Sequence, residues 1–107
     1  MLRRPIGERG TWFADYDGER LPCVHDYWWE RGRYTDKLLR ATYKSEQFVQ
    51  AIREKGRVIL TRDKPNSIEN PIPFTRTGYV SLWEVDEIEF DDAGLRFRFA
   101  RNLGSFK

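Results

Sequence analysis

The cleanest periodicity in the chain lies near its C-terminus, where Leu95, Phe97 and Phe99 alternate with Arg96 and Arg98. Side chains on a strand alternate between faces, so this pattern predicts a half-buried strand over Leu95 to Arg101. Its predicted partner, Tyr79 to Phe90, returns across Asp91-Asp92-Ala93-Gly94 but breaks phase. Val80 and Leu82 share one parity, Val85 takes the other, and Ile88 and Phe90 return to the first. One extra residue near Asp86 explains this as a β-bulge, with Glu89 then facing Arg96 and Glu87 facing Arg98.

A second hairpin is predicted around Asp17-Gly18, with Thr11 to Tyr16 before it and Leu21 to Trp29 after it. A two-residue Asp-Gly turn of the primed type sets the register. Tyr16 falls opposite Glu19, Asp15 opposite Arg20 as a cross-strand ion pair, Ala14 opposite Leu21, Phe13 opposite Pro22 and Trp12 opposite Cys23. Pro22 lacks an amide proton, which places it at an edge or has the strand begin properly at Cys23.

Glu30 to Asp36 reads as a loop, and Lys37 to Tyr43 as a short third strand. Phe48, Val49 and Ile52 then recur at helical spacing between Ser45, an N-cap residue, and Gly56, a C-terminal stop; the helix is expected over 46–55. Arg57 to Arg62 is a continuous β-branched run, as in a central strand covered on both faces. Asp63 to Gly78 carries Pro65, Pro71 and Pro73 and reads as a long loop, folded back on the body by Ile68, Ile72 and Phe74.

The fold class expected from these elements is α+β: a predominantly antiparallel curled sheet or small β-barrel of about six strands with one helix. A chain of 107 residues forms a single domain. Residues 1–9 are expected to be a flexible N-terminal arm and 103–107 a C-terminal tail.

Composition narrows the chemistry. Hydrophobic residues make up 39%, aromatic 15% and charged 34%, with a net charge of +2, so no polyanionic or membrane partner is demanded. One cysteine, Cys23, cannot form an internal disulfide or a CxxC zinc site, and no apolar run reaches membrane-spanning length, so the expected home is cytoplasmic. GxxxxGK[ST], GxGxxG, HExxH and GxSxG are all absent, which removes the commonest nucleotide, metalloprotease and serine hydrolase signatures. No cofactor or metal is implied. The acids Glu84, Asp86, Glu87 and Glu89 read as a charge-paired outer face rather than a metal cage.

Two constellations remain. Cys23 and His25 share a strand face, whereas Asp26 points away, so a nucleophile and base pair would need its acid from elsewhere. The shared face is the more apolar one and favours a core thiol. Tyr27-Trp28-Trp29, followed by Arg31, Arg33 and Tyr34, is the stronger signal. Three consecutive rings on a strand cannot face one core, so either Trp28 or the Tyr27 and Trp29 pair looks elsewhere. Trp28, on the side of Phe13, is a second-layer core residue if the helix packs there and otherwise a flat ring bordered by guanidinium groups. Of the basic residues, 14 are Arg, which favours planar contacts and stacking.

The expected function is a non-catalytic binding module using Trp28, Arg31, Arg33, Tyr34 and Phe13, for nucleic acid or a modified base. The alternatives are a protein-interaction or assembly subunit, a homodimer included, and a small enzyme using Cys23 and His25.

Overall fold

The computed structural model describes residues 1–7, 12–64 and 75–107. In chain order the elements are β1 (Ile6–Gly7), β2 (Phe13–Tyr16), β3 (Glu19–His25), a 3-10 turn (Asp26–Trp28), β4 (Trp29–Glu30), β5 (Arg33–Asp36), α1 (Tyr43–Lys55), β6 (Arg57–Lys64), β7 (Thr75–Asp91) and β8 (Gly94–Ser105). The strands form an eight-stranded sheet in the order β1-β2-β3-β6-β7-β8-β5-β4. Among the described strands β3 and β6 are the pair that runs parallel, and an isolated parallel bridge joins Leu2 to Phe106. Among the described residues the architecture is α+β, with one helix and an open, mostly antiparallel sheet. It is not a closed barrel, since β1 and β4 end the order unpaired with each other, and it holds two more strands than the pattern predicts.

The Asp17-Gly18 hairpin has the predicted register from Tyr16–Glu19 to Phe13–Pro22, and Cys23 N donates to Trp12 O at 2.8 Å. Both turn residues have positive φ, 53° and 77°, and the Asp15 carboxylate accepts from Gly18 N at 3.1 Å. The Arg20 guanidinium lies over the Phe13 ring, 3.6 Å from its centroid.

A second turn with two positive φ values, Arg31 at 52° and Gly32 at 78°, closes β4 against β5. The predicted loop over 30–36 is thus largely strand. The predicted strand at 37–43 is instead the approach to the helix. Asp36 Oδ1 accepts from Leu38 N at 2.9 Å and Leu39 N at 3.2 Å, and these bonds turn the chain out of the sheet. The helix starts at Tyr43, three residues earlier than the expected first residue, 46. Thr42 is the N-cap, and Ser45 at the third helical position completes a capping box. Gly56, with φ 64°, closes the other end as expected.

The predicted long loop is shorter at both ends. β6 continues to Lys64, which pairs with Thr75, and Asp63 pairs with Arg76. The rest of that loop, with Ile68, Ile72 and Phe74, lies outside the described residues. The expected N-terminal arm and C-terminal tail hold each other: Leu2 N donates to Ser105 O at 2.8 Å, Leu2 bridges Phe106, and Phe106 is buried. The β7–β8 ladder slips between Asp86 and Glu89, where Glu87 takes φ 53°. Glu89 faces Arg96 as predicted, but Asp86 rather than Glu87 stands opposite Arg98.

Two apolar clusters form the core. Helix residues Phe48, Val49 and Ile52 pack with Phe13, Val24, Tyr34, Val58, Leu60, Val85, Leu95, Phe97 and Phe99. Ala14, Leu21, Cys23, Ile59, Leu82 and Phe106 make the second. Alternation along β6 sends Val58 and Leu60 to one cluster and Ile59 to the other, which is why this strand is apolar throughout.

Candidate functional site

The five sequence-predicted binding residues do not make one surface. Phe13 is buried and meets Phe48 edge-on at 6.0 Å. Tyr34 is 3% exposed and stacks on Phe97. Arg31 and Arg33 are exposed at the β4–β5 turn, and Arg33 Nη1 lies 3.2 Å from Glu87 Oε2, which also lies 3.1 Å from Arg98 Nε. Trp28 is half-buried against the helix-side cluster.

The chain solves the three-ring problem with a turn rather than a strand. Asp26–Trp28 forms a single 3-10 turn, and Trp29 then points to Trp83 and Phe99, at 5.2 and 4.1 Å between centroids. Tyr27 and Trp28 meet edge to face at 5.0 Å, with Tyr27 50% exposed. His25 joins this pair to the core. Its ring is 6.4 Å from Tyr27, 5.9 Å from Trp28 and 6.2 Å from buried Tyr34.

A row of polar groups crosses the sheet beside these rings. His25 is in register with Thr61, and Thr61 with Tyr79. The Thr61 hydroxyl donates to Asp63 Oδ1 at 2.7 Å, and Arg76 Nε lies 3.5 Å from the same oxygen. The Asp63 side chain is 7% exposed and that of Arg76 18%. Outside this pair, Asp26 Oδ2 lies 3.6 Å from the Nε of Arg62, which is well exposed. Ion pairs this buried contribute little to stability relative to apolar packing.

Burial holds the His25 imidazole below its ordinary pKa, reinforced by Arg76 and opposed by Asp63, Asp36 and Asp26. The Tyr34 hydroxyl is pushed well above the usual tyrosine range by burial and then by Asp36 and Asp63. Both groups are therefore neutral at pH 7. Cys23 is buried at 5% exposure within the second apolar cluster, in keeping with a core thiol. Among the described residues no group of His, Cys, Asp and Glu side chains could hold a metal ion, and no helix is long and apolar enough to cross a membrane.

The acidic run on β7 is answered across the hairpin. Glu84 bonds Arg101, Asp86 bonds Arg98 Nε at 2.8 Å, and Glu89 and Asp91 lie 2.9 and 2.8 Å from Arg96 Nη2. Sequence reasoning missed Asp63 and Arg76, because the prolines between 65 and 73 drew residues 63–78 into one loop, and it placed Arg62 at the end of a strand without showing that Asp26 would lie beside it. The signals for them were Thr61 continuing the β-branched run into Asp63, and Thr75-Arg76-Thr77 preceding the Tyr79 strand. No family model, curated protein or solved structure matches the chain.

Proposed function

We propose that this protein is a non-catalytic binding module that grips a flat ring carrying a hydrogen-bonding edge, the ligand class being a base of single-stranded nucleic acid. The observation that carries the reading is the half-exposed Tyr27–Trp28 pair set beside the Asp26–Arg62 pair. A ring face offers stacking to any base, and the exposed Arg62 adds a planar donor for a base edge or phosphate. The Asp63–Arg76 pair ties the end of β6, which carries Arg62, to β7. Titration of a labelled oligothymidylate at low ionic strength tests this. Tyr27→Ala should weaken binding by about 1–3 kcal/mol, the usual worth of one stacked base. Arg62→Ala should also reduce the salt dependence. Absence of binding at low salt rejects the nucleic-acid ligand.

A protein partner is the second reading, favoured by one observation. Arg33, Arg96, Arg98 and Arg101 all engage carboxylates, which leaves the β5–β8 face charge-compensated, while Tyr27, Leu38 and Tyr43 stand exposed. Rings of this kind anchor protein interfaces. Sedimentation over a concentration series separates self-association from a strict monomer.

A further inference from the structure

The segment that leads from β5 into α1 gathers three cations without a counter-charge. Lys37, Arg40 and Lys44 are exposed, and among the described residues none of them ion-pairs with a carboxylate, whereas Arg33, Arg57, Arg96, Arg98 and Arg101 all do. Asp36, the acid next to Lys37, holds the amides of Leu38 and Leu39 instead. Glu46, in the same helical turn as Lys44, pairs with none of the three.

Hydrogen bonds fold this segment into one projection. Arg40 Nη1 donates to Lys37 O at 2.6 Å and to Leu39 O at 3.1 Å. The Ser45 hydroxyl donates to Arg40 O at 2.6 Å, and Ser45 is itself buried. Lys37, Arg40 and Lys44 are thereby drawn together on a base that Leu39 anchors to the helix-side cluster. Gathering like charges costs Coulomb energy, and Lys44, in the first turn of α1, also opposes the helix dipole. Helix stability therefore does not account for this arrangement, whereas a bound polyanion would offset both costs.

The rings narrow the polyanion. Tyr43 stands between these cations and is 78% exposed, and Leu38 is 53% exposed. An exposed ring interleaved with cations suits bases joined by phosphates rather than a lone anion. The projection also starts beside the ring pair already described. Asp36 is near enough to His25 to act on its charge, and the His25 ring lies 6.4 Å from Tyr27 and 5.9 Å from Trp28. Trp28 and Leu39 pack on the same cluster.

We propose that the projection over residues 37–44 carries the sugar-phosphate backbone of the single strand whose base the Tyr27–Trp28 pair holds, with Lys37, Arg40 and Lys44 on phosphates and the Tyr43 ring stacked on a further base. The inference rests on the binding reading above and supplies the path of the ligand beyond its first base.

The test compares two labelled probes of equal length over a salt series: oligothymidylate, and an abasic oligomer that keeps the phosphates and lacks the bases. Two variants remove the cations, Lys37→Ala with Arg40→Ala and Lys44→Ala, and Lys37→Glu with Lys44→Glu, which spares the Arg40 hydrogen bonds should the first variant fold poorly. Both should weaken both probes. The triple variant should lower the slope of log affinity against log salt by about 2, since each phosphate contact on a single strand contributes roughly 0.7. Tyr43→Ala should weaken oligothymidylate by about fivefold or more, the lower end for one stacked base, and leave the abasic probe unchanged. Arg53→Ala, at the far end of α1, should leave the slope as it is.

Unchanged affinity and slope in both cation variants overturn the phosphate path, as does a fall in slope for Arg53→Ala equal to one third of the triple variant's. Either result leaves the ring reading standing if Tyr27→Ala still weakens oligothymidylate. Loss of abasic binding in the cation variants, with no effect of Tyr27→Ala, upholds the phosphate path and overturns the ring reading. Failure of both probes to bind the wild-type chain at low ionic strength overturns both, and binding of an acidic decapeptide in their place would assign the projection to a protein partner.

Discussion

Tyr34 stands directly opposite Phe97 across β5 and β8, and the two rings stack with centroids 4.9 Å apart and planes 16° from parallel. Through this contact the short β4–β5 hairpin is joined to the core, and His25 is reached from beneath. Tyr34→Ala should destabilise the fold by about 3–5 kcal/mol, the range for truncating a large buried ring. Urea denaturation measures it, and a loss below about 1 kcal/mol would show that the stack does not hold the hairpin.

Asp63→Asn removes the Asp63 carboxylate from beside the Arg76 guanidinium, which is mostly buried. A loss on the order of 2–3 kcal/mol is expected, less than a fully buried broken pair costs because Arg76 keeps some water contact. Combining Asp63→Asn with Arg76→Met should recover much of that loss. A double variant no more stable than the single one would refute this account of the pair.

Two glycines with positive φ should respond unequally to alanine. At Gly56 a Cβ meets nothing within 4 Å, so Gly56→Ala carries only the left-handed backbone penalty of about 1–2 kcal/mol. At Gly94 the same atom would fall 2.0 Å from the Asp36 carbonyl oxygen, a backbone atom. Gly94→Ala should therefore lower the melting temperature much further than Gly56→Ala, and equal effects would contradict the close approach of β8 to the end of β5.

Acid should destabilise the fold in two separate ranges. Arg96 and the Ala93 amide hold Asp91 down at about 2, Arg98 lowers Asp86, and Lys55 and Arg57 lower Glu19. Carboxylates with native values below their unfolded values bind more protons when unfolded, so stability rises with pH. Their contribution is full above about pH 5 and is lost as pH falls through about 4. His25, also lowered, adds an earlier limb that starts near pH 6.5, the ordinary imidazole value, as pH falls. Urea midpoints against pH should show both limbs, and His25→Gln should remove only the upper one. High salt should flatten the lower one, because those pairs are exposed.

Local chemistry made much of this fold legible. Asp17-Gly18, Gly56 and the alternation from Leu95 to Phe99 each impose geometry within a few residues, and each element stands where the pattern predicts. The bulge at Asp86 was readable because a phase change in apolar parity has one simple cause. The β4–β5 hairpin was hidden because Arg31-Gly32 carries a weaker turn signal than Asp-Gly, and its strands are only two and four residues long. Phe13 and Tyr34 seemed available for binding because no sequence period reveals which ring a distant strand will cover. The site at Asp63 and Arg76 depends on pairing across residues 65–74, and local propensity carries no information on such a contact.

The strand order imposes a sequence of events on folding. β8, the last of these strands in chain order, lies between β7 and β5, so the β4–β5 ribbon has no sheet to join until β8 has been synthesised. β3 must likewise wait for β6, its parallel neighbour, across the intervening ribbon and helix. Docking of pre-formed pieces by a late-arriving strand makes this a slow-folding topology, and a nascent chain halted near Ala93 would present two open edges at once.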